Sequence, residues 1–214
     1  MTDKQLYTEY LRDKRVCLVG PSSHILEVNQ RDFIESYDVV VRLNRSWPIP
    51  EELNNCSGIR TNVLYNCMHE VCMPIKSLIE TREFKDTVDF LVCPFPNYPP
   101  FSRNIESFKR NNPECIPFVF FDTQIYKQIE KQMNSRPNTG TAAIVHLLLH
   151  PIKELHITGM TFLQKYIKGY RDDHKPIHGG VHKPEKQIEY VRNTCWKDPR
   201  VTADKVFENI MKGK

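Results

Sequence analysis

Five short apolar segments recur along the chain, each bounded by polar or turn-forming residues: Arg15–Gly20, Asp38–Leu43, Asp89–Cys93, Ile116–Phe121 and Glu154–Thr158. Several are β-branched and continuous rather than alternating, which is typical of strands buried on both faces. Between these segments lie five candidate helices: Glu27–Glu35, Met73–Ile79, Asn104–Asn111, Thr123–Met133 and Gly140–His150. Strands that alternate with helices predict an α/β fold, in which helices flank a mostly parallel sheet of a variant Rossmann-like type.

The last third of the chain has a different pattern. Residues 164–183 are rich in Lys, Asp, His and Gly and show no clear period, so we predict a mobile loop there. Pro184 can begin a helix that runs to about Asn193, and Thr202 is a candidate N-cap for a final helix. No repeat or low-complexity linker divides the sequence, and we expect a single domain over residues 1–214.

Composition and charge narrow the class of protein. Hydrophobic residues make up 40% of the chain and charged residues 26%, as in an ordinary globular protein. The net charge of +4 favours an anionic ligand, but 30 basic residues face 26 acidic ones without a basic run, so we expect no nucleic-acid partner. No apolar stretch approaches the roughly 20 residues of a membrane span. Seven cysteines without a CxxC pair and no visible export signal predict a soluble, cytoplasmic protein with reduced thiols.

The first segment with candidate chemistry follows the first predicted strand. That strand ends at Gly20, and Ser22 and Ser23 precede the next helix. Small residues at such a turn let backbone amides approach a phosphate or ribose, although similar turns in many α/β proteins bind nothing. The segment lacks both the three-glycine dinucleotide fingerprint and the P-loop lysine, which disfavours NAD and ATP as ligands.

Two asparagines occupy similar positions later in the sequence. Asn44 follows a predicted strand at the sheet edge where α/β proteins bind ligands, and it is either a ligand contact or a strand-end cap. Asn138 and Thr139 precede an apolar helix, so they are either N-cap residues or ligand contacts. Gly140, which has no side chain, would let a ligand lie against the backbone.

The predicted loop carries three histidines spaced by four residues: His174, His178 and His182. A continuous helix would place them on one face, as in a zinc site, but Pro176, a glycine pair and Pro184 interrupt such a helix. No cysteine or carboxylate completes a tetrahedral set. We therefore interpret the histidines as acid/base and phosphate-contacting groups, because an imidazole titrates near neutral pH and can accept a proton from a sugar hydroxyl.

Together these segments resemble the motifs of the eukaryotic-type sialyltransferases, which depend on CMP-sialic acid. The long motif of that family is matched in three pieces: Val19–Ser22, Asp38–Asn44 and Gly58–Thr61. Its short motif is similar to Pro137–Gly140 followed by Glu154–Gly159, and its catalytic histidine motif is similar to Gly180–Pro184. The resemblance covers roughly residues 16–188.

The resemblance implies a GT-A-like variant fold and a glycosyltransferase that moves a sialic acid-type sugar from a CMP-sugar to a glycan hydroxyl. The transfer would proceed with inversion and without a metal or another cofactor. His182 would act as the general base. The departing phosphate also needs a cation or hydrogen-bond donors, which His174 or His178 could supply, although the second histidine motif of the family is not reproduced. The implied donor-binding residues are Gly20, Ser22, Ser23, Asn44, Asn138, Thr139 and Gly140. The related eight-carbon acid Kdo is an alternative sugar.

Several positions depart from the family pattern. Pro21 stands where the family has a nucleotide-contacting Asn, and Ser23 and His24 replace Gly-Asn. Gln187 stands five positions after the candidate base, where a Glu is expected, and no cysteine is present to pair with Cys17 across the two motifs. The missing disulfide fits a reducing cytosol and a viral or bacterial relative. The other departures leave open a non-catalytic CMP-binding protein that has kept the fold.

Overall fold

A computed structural model describes residues 1–68, 82–95, 99–110, 112, 116–162, 164 and 181–214 of the chain. Seven strands form one sheet in the order β5-β4-β3-β2-β1-β6-β7, and every pair of neighbours is parallel. The strands are β1 Arg15–Val19, β2 Val39–Leu43, β3 Val63–Tyr65, β4 Phe90–Cys93, β5 Phe118–Phe120, β6 Glu154–Thr158 and β7 Val201–Ala203. The structure confirms the predicted α/β class and its parallel sheet.

The described helices are α1 Asp3–Leu11, α2 Arg31–Glu35, α3 Asn54–Ser57, α4 Arg82–Thr87, α5 Pro99–Arg110, α6 Thr123–Met133, α7 Thr139–Leu148, α8 Pro184–Asn193 and α9 Lys205–Lys212. Helices α6 and α8 have the predicted bounds. The helix predicted over Glu27–Glu35 is instead a 3-10 turn at Ser23–Glu27 followed by α2. The helix predicted over Met73–Ile79 and residues 165–180 of the predicted loop lie outside the described residues.

The central strands are buried on both faces, as their continuous apolar sequences indicate. In β1, Val16 and Leu18 belong to the larger apolar cluster, which contains side chains of α1, α6, α7, α8 and α9. The alternate residues Cys17 and Val19 belong to a second cluster with Ile25, from the 3-10 turn, and with a side chain of α2. Because successive side chains of a strand point to opposite faces, this division places helices on both sides of the sheet.

Five of these helices and strands were not predicted, and one cap was assigned to the wrong residue. No prediction covers helices α1, α3 and α4 or the three-residue strands β3 and β7. Thr202 is not an N-cap, because it lies in β7 and pairs with His156 of β6. Asp204 is the N-cap of α9, and its carboxylate accepts a hydrogen bond of 2.8 Å from the amide of Phe207.

The strand order reverses between β1 and β6. Strands β2 to β5 follow β1 on one side, whereas β6 and β7 lie on the other side. At such a reversal the chain leaves the carboxyl ends of the two strands toward opposite faces, and ligands bind in the crevice between them. The Gly20 amide donates to the Thr158 carbonyl (2.8 Å) and the Ser22 amide to the Gly159 carbonyl (2.8 Å), so the two turns are joined there.

A chain of buried hydrogen bonds connects α1, β3 and α7. The hydroxyls of Tyr7 and Tyr65 are 3.1 Å apart, and Tyr65 lies 2.8 Å from Nδ1 of His146. Nε2 of His146 is 3.4 Å from Nε2 of His150, whose Nδ1 is 3.2 Å from the Thr8 hydroxyl. The network therefore crosses the core from the first helix to the helix that precedes β6.

The hydrogen bond that the Thr8 hydroxyl donates within α1 fixes the positions of the other hydrogens in this network. Thr8 donates its hydrogen to a carbonyl one turn earlier in α1 (2.9 Å), so its oxygen accepts from Nδ1–H of His150. Nε2 of His150 then accepts from Nε2–H of His146, whose Nδ1 accepts from Tyr65. Each imidazole is neutral and is held in one tautomer.

We expect these histidines to make folding stability pH-dependent. Burial, and secondarily the charge of Lys4, lowers the pKa of His150 to about 4, and burial lowers the pKa of His146 well below its usual value. The folded state therefore binds fewer protons than the unfolded state below about pH 6.5. The free energy of unfolding should be largest above that pH and should fall between about pH 6.5 and 4, by up to about 1.4 kcal/mol per pH unit for each histidine.

Urea unfolding at pH 7.5, 6.0 and 5.0 measures this slope before most carboxylates are protonated. The variant His150→Gln should be less stable at pH 7.5 and should show a shallower slope. A wild-type stability that does not change between pH 7.5 and 5.0 would contradict the assignment of neutral histidines.

Candidate active site

The turn after β1 packs closely against the turn after β6. A Cβ atom at Gly20 would lie 2.4 Å from the Gly159 carbonyl oxygen and 2.4 Å from Cγ of Met160, so Gly20 permits the approach of the two turns. Ser22 is 1% exposed, and its hydroxyl lies 3.2 Å from that of Thr161. Ser23 is partly exposed and begins the 3-10 turn. The predicted residues of this corner thus lie where the turns after β1 and β6 meet.

Asn44 connects the end of β2 to two neighbouring segments. Its φ of 47° is in the left-handed region, which asparagine tolerates better than most residues. Its Nδ2 donates to Oγ1 of Thr139 (3.2 Å), and its Oδ1 accepts from the Cys67 amide after β3 (3.0 Å). Asn44 therefore supports the backbone at the strand ends, and it also contacts another predicted donor-binding residue.

The segment before α7 has a local structural role that the sequence indicated. Oδ1 of Asn138 accepts from the Thr141 amide (2.8 Å), which confirms that Asn138 is the N-cap of α7. A Cβ atom at Gly140 would lie 2.5 Å from Cε of Met160. The space beside Gly140 that we expected a ligand to use is thus occupied by the Met160 side chain. Because Met160 also contacts Gly20, it brings the two predicted corners together.

One part of the long motif is structural. Arg42, in β2, is 2% exposed, and its guanidinium donates to the carbonyls of Arg60 (3.0 Å) and Ser57 (2.6 Å). Burial lowers the pKa of Arg42 to about 10, so the group remains charged at neutral pH. Arg42 therefore holds the segment around Gly58, which explains why these motif pieces occur together without requiring that either contact a ligand.

His182 lies against the segment that precedes Asn138. Its Nδ1 is 2.9 Å from the Arg136 carbonyl oxygen. A carbonyl only accepts hydrogen bonds, so Nδ1 carries a hydrogen. In the neutral imidazole the lone pair is then on Nε2, as a general base requires. The backbone around His182 is held by hydrogen bonds from the Arg136 amide to the Val181 carbonyl (3.1 Å) and from the Lys183 amide to the Ser135 hydroxyl (3.0 Å).

Gln187 fixes the same segment from α8. Its side chain is fully buried, and its Oε1 accepts from the Asn138 amide (3.1 Å). Its Nε2 donates to the Arg136 carbonyl (3.0 Å), the group that also accepts from His182. An amide can accept one of these bonds and donate the other, whereas the carboxylate of the family pattern would only accept. Gln187 therefore joins the α7 N-terminus to the candidate base.

Asp204 and His24, which meet beside the turns after β1 and β6, were not predicted as site residues. Oδ2 of Asp204 accepts from the Gly159 amide (2.8 Å), from the Thr158 hydroxyl (2.9 Å) and from Nε2 of His24 (2.9 Å). Burial alone would raise the pKa of Asp204, but the hydrogen bonds from His24 and from two backbone amides hold it below its usual value. Asp204 is therefore ionised. A sequence signal existed, because an aspartate before a helix is a common N-cap.

Other predictions fall partly outside the described residues. His174 and His178 are not described, so their predicted roles stay predictions. Within the described part of the chain, no cluster of three or more His, Cys, Asp or Glu side chains is placed to hold a metal ion. No described helix is both long and apolar enough to cross a membrane. None of the described cysteines forms a disulfide: Cys17, Cys56, Cys67, Cys93 and Cys195.

No protein-family model matches the sequence, and no curated protein matches it. Solved structures do match. A mammalian sialyltransferase in complex with Gal-beta-1-3GalNAc-ortho-nitrophenol is 18% identical, with a TM-score of 0.62, and the match covers 96% of this chain and 74% of that one. The sialyltransferase CstII from Campylobacter jejuni, in complex with cytidine-5'-monophosphate, is 15% identical, with a TM-score of 0.57 and coverage of 90% and 80%. The chain therefore has the fold of these sialyltransferases.

The two glycines of the site should differ in their tolerance of a methyl group. Gly20→Ala forces a backbone carbonyl to move, and we expect it to lower the free energy of unfolding by about 1–3 kcal/mol. Gly140→Ala meets the end of the flexible Met160 side chain, so it should cost less than Gly20→Ala. Urea unfolding of both variants tests this ranking, and equal losses would contradict it.

Gln187 should contribute strongly to stability. Gln187→Met has a similar shape but leaves the Asn138 amide without its partner, which should cost about 1–3 kcal/mol. The control Glu189→Ala, at a more exposed position of α8, should change stability by about 0.5 kcal/mol or less. If the two variants unfold at the same urea concentration, the buried hydrogen bonds of Gln187 do not hold this segment.

Proposed function

We propose that this protein is an inverting glycosyltransferase that moves a sialic acid-type sugar from a CMP-sugar donor to a glycan hydroxyl, without a metal or another cofactor. The observation that carries the proposal is the hydrogen bond from Nδ1 of His182 to the Arg136 carbonyl, beside the N-terminus of α7, because it leaves the lone pair of the neutral imidazole on Nε2. The fold supports it as well, since solved sialyltransferases of this fold have been captured with CMP and with a galactose-containing disaccharide.

The donor is assigned to the carboxyl edge of the sheet near the β1–β6 reversal. Six of the seven implied donor-binding residues lie at two places, the turn after β1 and the N-terminus of α7. The seventh, Asn44, contacts Thr139 at the second of these places. Hydroxyls, amides and backbone N–H groups at this edge offer donors to a ribose and a phosphate. His174 or His178 is the proposed phosphate contact, because departure of CMP requires a cation or hydrogen-bond donors at the phosphate.

The acceptor is assigned to the side of His182. Nε2 of His182 takes the proton of the acceptor hydroxyl as that oxygen attacks the anomeric carbon on the face opposite the phosphate. The bond between the anomeric carbon and the phosphate oxygen breaks, and CMP leaves with the bonding electrons. The configuration is thereby inverted. The resulting imidazolium keeps its Nδ1–H bond to the Arg136 carbonyl, which stabilises the positive charge.

The departure at Gln187 favours an active enzyme over a non-catalytic CMP-binding protein. The buried Gln187 side chain retains two hydrogen bonds that hold the segment against which the base lies. Pro21, where the family has an asparagine, removes one donor contact and remains the reason to test binding separately from turnover. CMP-Kdo is the alternative donor.

The proposed base predicts a large and specific loss of rate. With CMP-sialic acid and a panel of galactosides, His182→Ala should lower the rate of transfer by roughly 10²–10⁴-fold. Its affinity for CMP should change little, because the lost group acts on the acceptor. His156→Gln, at a buried histidine that hydrogen-bonds to Thr202, is a matched control that should retain activity. Product formation by chromatography and calorimetric CMP binding are the measurements.

Each outcome separates the alternatives. Unchanged transfer by His182→Ala would reject His182 as the base. CMP binding without turnover of CMP-sialic acid or CMP-Kdo would indicate a non-catalytic binding protein. Absence of CMP binding would reject both. The anomeric configuration of the product, read by NMR, tests inversion directly.

A further inference from the structure

His24 lies where the turns after β1 and β6 meet, in a hydrogen-bonded row of four polar side chains. It is 9% exposed. Its Nε2 is 2.9 Å from Oδ2 of Asp204, and its Nδ1 is 3.0 Å from the hydroxyl of Ser22. Ser22 in turn lies 3.2 Å from the hydroxyl of Thr161. The row runs from an ionised carboxylate to two hydroxyls at the carboxyl ends of the strands.

The charge of His24 decides which way the Ser22 hydrogen points. Asp204 only accepts, so Nε2 of His24 donates to it in either charge state. When His24 is neutral, its Nδ1 accepts the Ser22 hydrogen, and Ser22 presents lone pairs to its other neighbours. When His24 is protonated, Nδ1–H donates to the Ser22 oxygen, and the Ser22 hydrogen is available to another acceptor.

An anion bound beside this turn would favour the protonated form. Phosphate oxygens only accept hydrogen bonds at neutral pH, and they repel the lone pairs that Ser22 presents beside neutral His24. A negative charge also stabilises a nearby imidazolium, more strongly where water is excluded. By thermodynamic linkage, if the anion promotes protonation of His24, protonation of His24 tightens binding of the anion by the same factor.

The other titratable groups near Asp204 do not supply a positive charge at this turn. Cys17 in β1 and His156 in β6 lie close enough to feel the charge of Asp204. Burial raises the pKa of Cys17 to about 12, and burial lowers the pKa of His156, so both are neutral at pH 7. Among these described groups, Asp204 carries the charge that holds His24 in place.

We propose that His24, oriented by Asp204, is a positioning residue for the donor phosphate. Binding of CMP at the crevice drives uptake of a proton by His24, and the imidazolium turns the Ser22 hydroxyl toward the phosphate. This assignment rests on the proposed function, which places Ser22 in the donor site. The positive charge beside the phosphate would then come from His24, in the turn after β1. The sequence had instead indicated the loop histidines His174 and His178 as phosphate contacts.

Proton-linked calorimetry tests the proposal. CMP and cytidine are titrated into the protein between pH 7.0 and 8.5 in two buffers of different ionisation enthalpy, which yields the number of protons taken up. The wild-type protein should take up a fraction of one proton with CMP and none with cytidine. His24→Gln should reduce that uptake and weaken CMP binding by about tenfold, with cytidine binding unchanged. The phosphate of CMP also titrates, near pH 6, and comparison of the variants removes its contribution.

Two further variants complete the test. His156→Gln, the matched control, should retain the wild-type proton uptake. If His24→Gln does not fold, Ser22→Ala keeps the His24–Asp204 pair and should still reduce proton uptake and weaken CMP binding relative to cytidine. Two results would overturn this inference and leave the proposed function standing. One is equal proton uptake by the wild type and the tested variant, and the other is an equal loss of affinity for CMP and for cytidine. Failure of the wild type to bind CMP overturns both.

Discussion

The contact between the turns after β1 and β6 is the constraint on which the candidate site depends. Two backbone hydrogen bonds join the turns, and no side chain separates them at Gly20 or Gly159. Gly159 has a φ of 69°, and a Cβ atom there would lie 2.5 Å from the Gly20 carbonyl oxygen. A larger residue at either position would push the strand ends apart. The geometry of Ser22, Thr161 and Asp204 therefore depends on a pair of glycines.

The candidate base depends on a second constraint, at the start of α7. The Arg136 carbonyl accepts from both His182 and Gln187, so one oxygen sets the position of the base relative to the helix N-terminus. The same side chain of Gln187 holds the Asn138 amide. Because an amide donates and accepts, the change from the glutamate of the family pattern preserves the connection. Donor and acceptor sides of the proposed reaction are thus joined through buried hydrogen bonds rather than through ion pairs.

Much of the fold could be predicted from the sequence. A strand that is buried on both faces requires a continuous apolar segment, and the apolar positions of an amphipathic helix recur with a period of 3.6 residues. Helices α6 and α8 follow that rule, and both have the predicted bounds. Strands β3 and β7 contain three residues each, too few to show a period. Helix α1 is mostly polar at its start. Its capping box of Thr2 and Gln5 was the available signal.

The sequence by itself determined the class of fold and offered Asn138 as an N-cap, because strand burial and helix caps depend on neighbours within a turn or two. The choice of His182 came from the family resemblance and stays a prediction. The tertiary structure decided the tautomer of His182, the packing of Met160 against Gly140 and the pairing of His24 with Asp204. Those last two residues are 180 positions apart in the chain. They meet because the sheet places β6 between β1 and β7, the strand that precedes Asp204. Strand order is a property of the whole fold rather than of any local pattern.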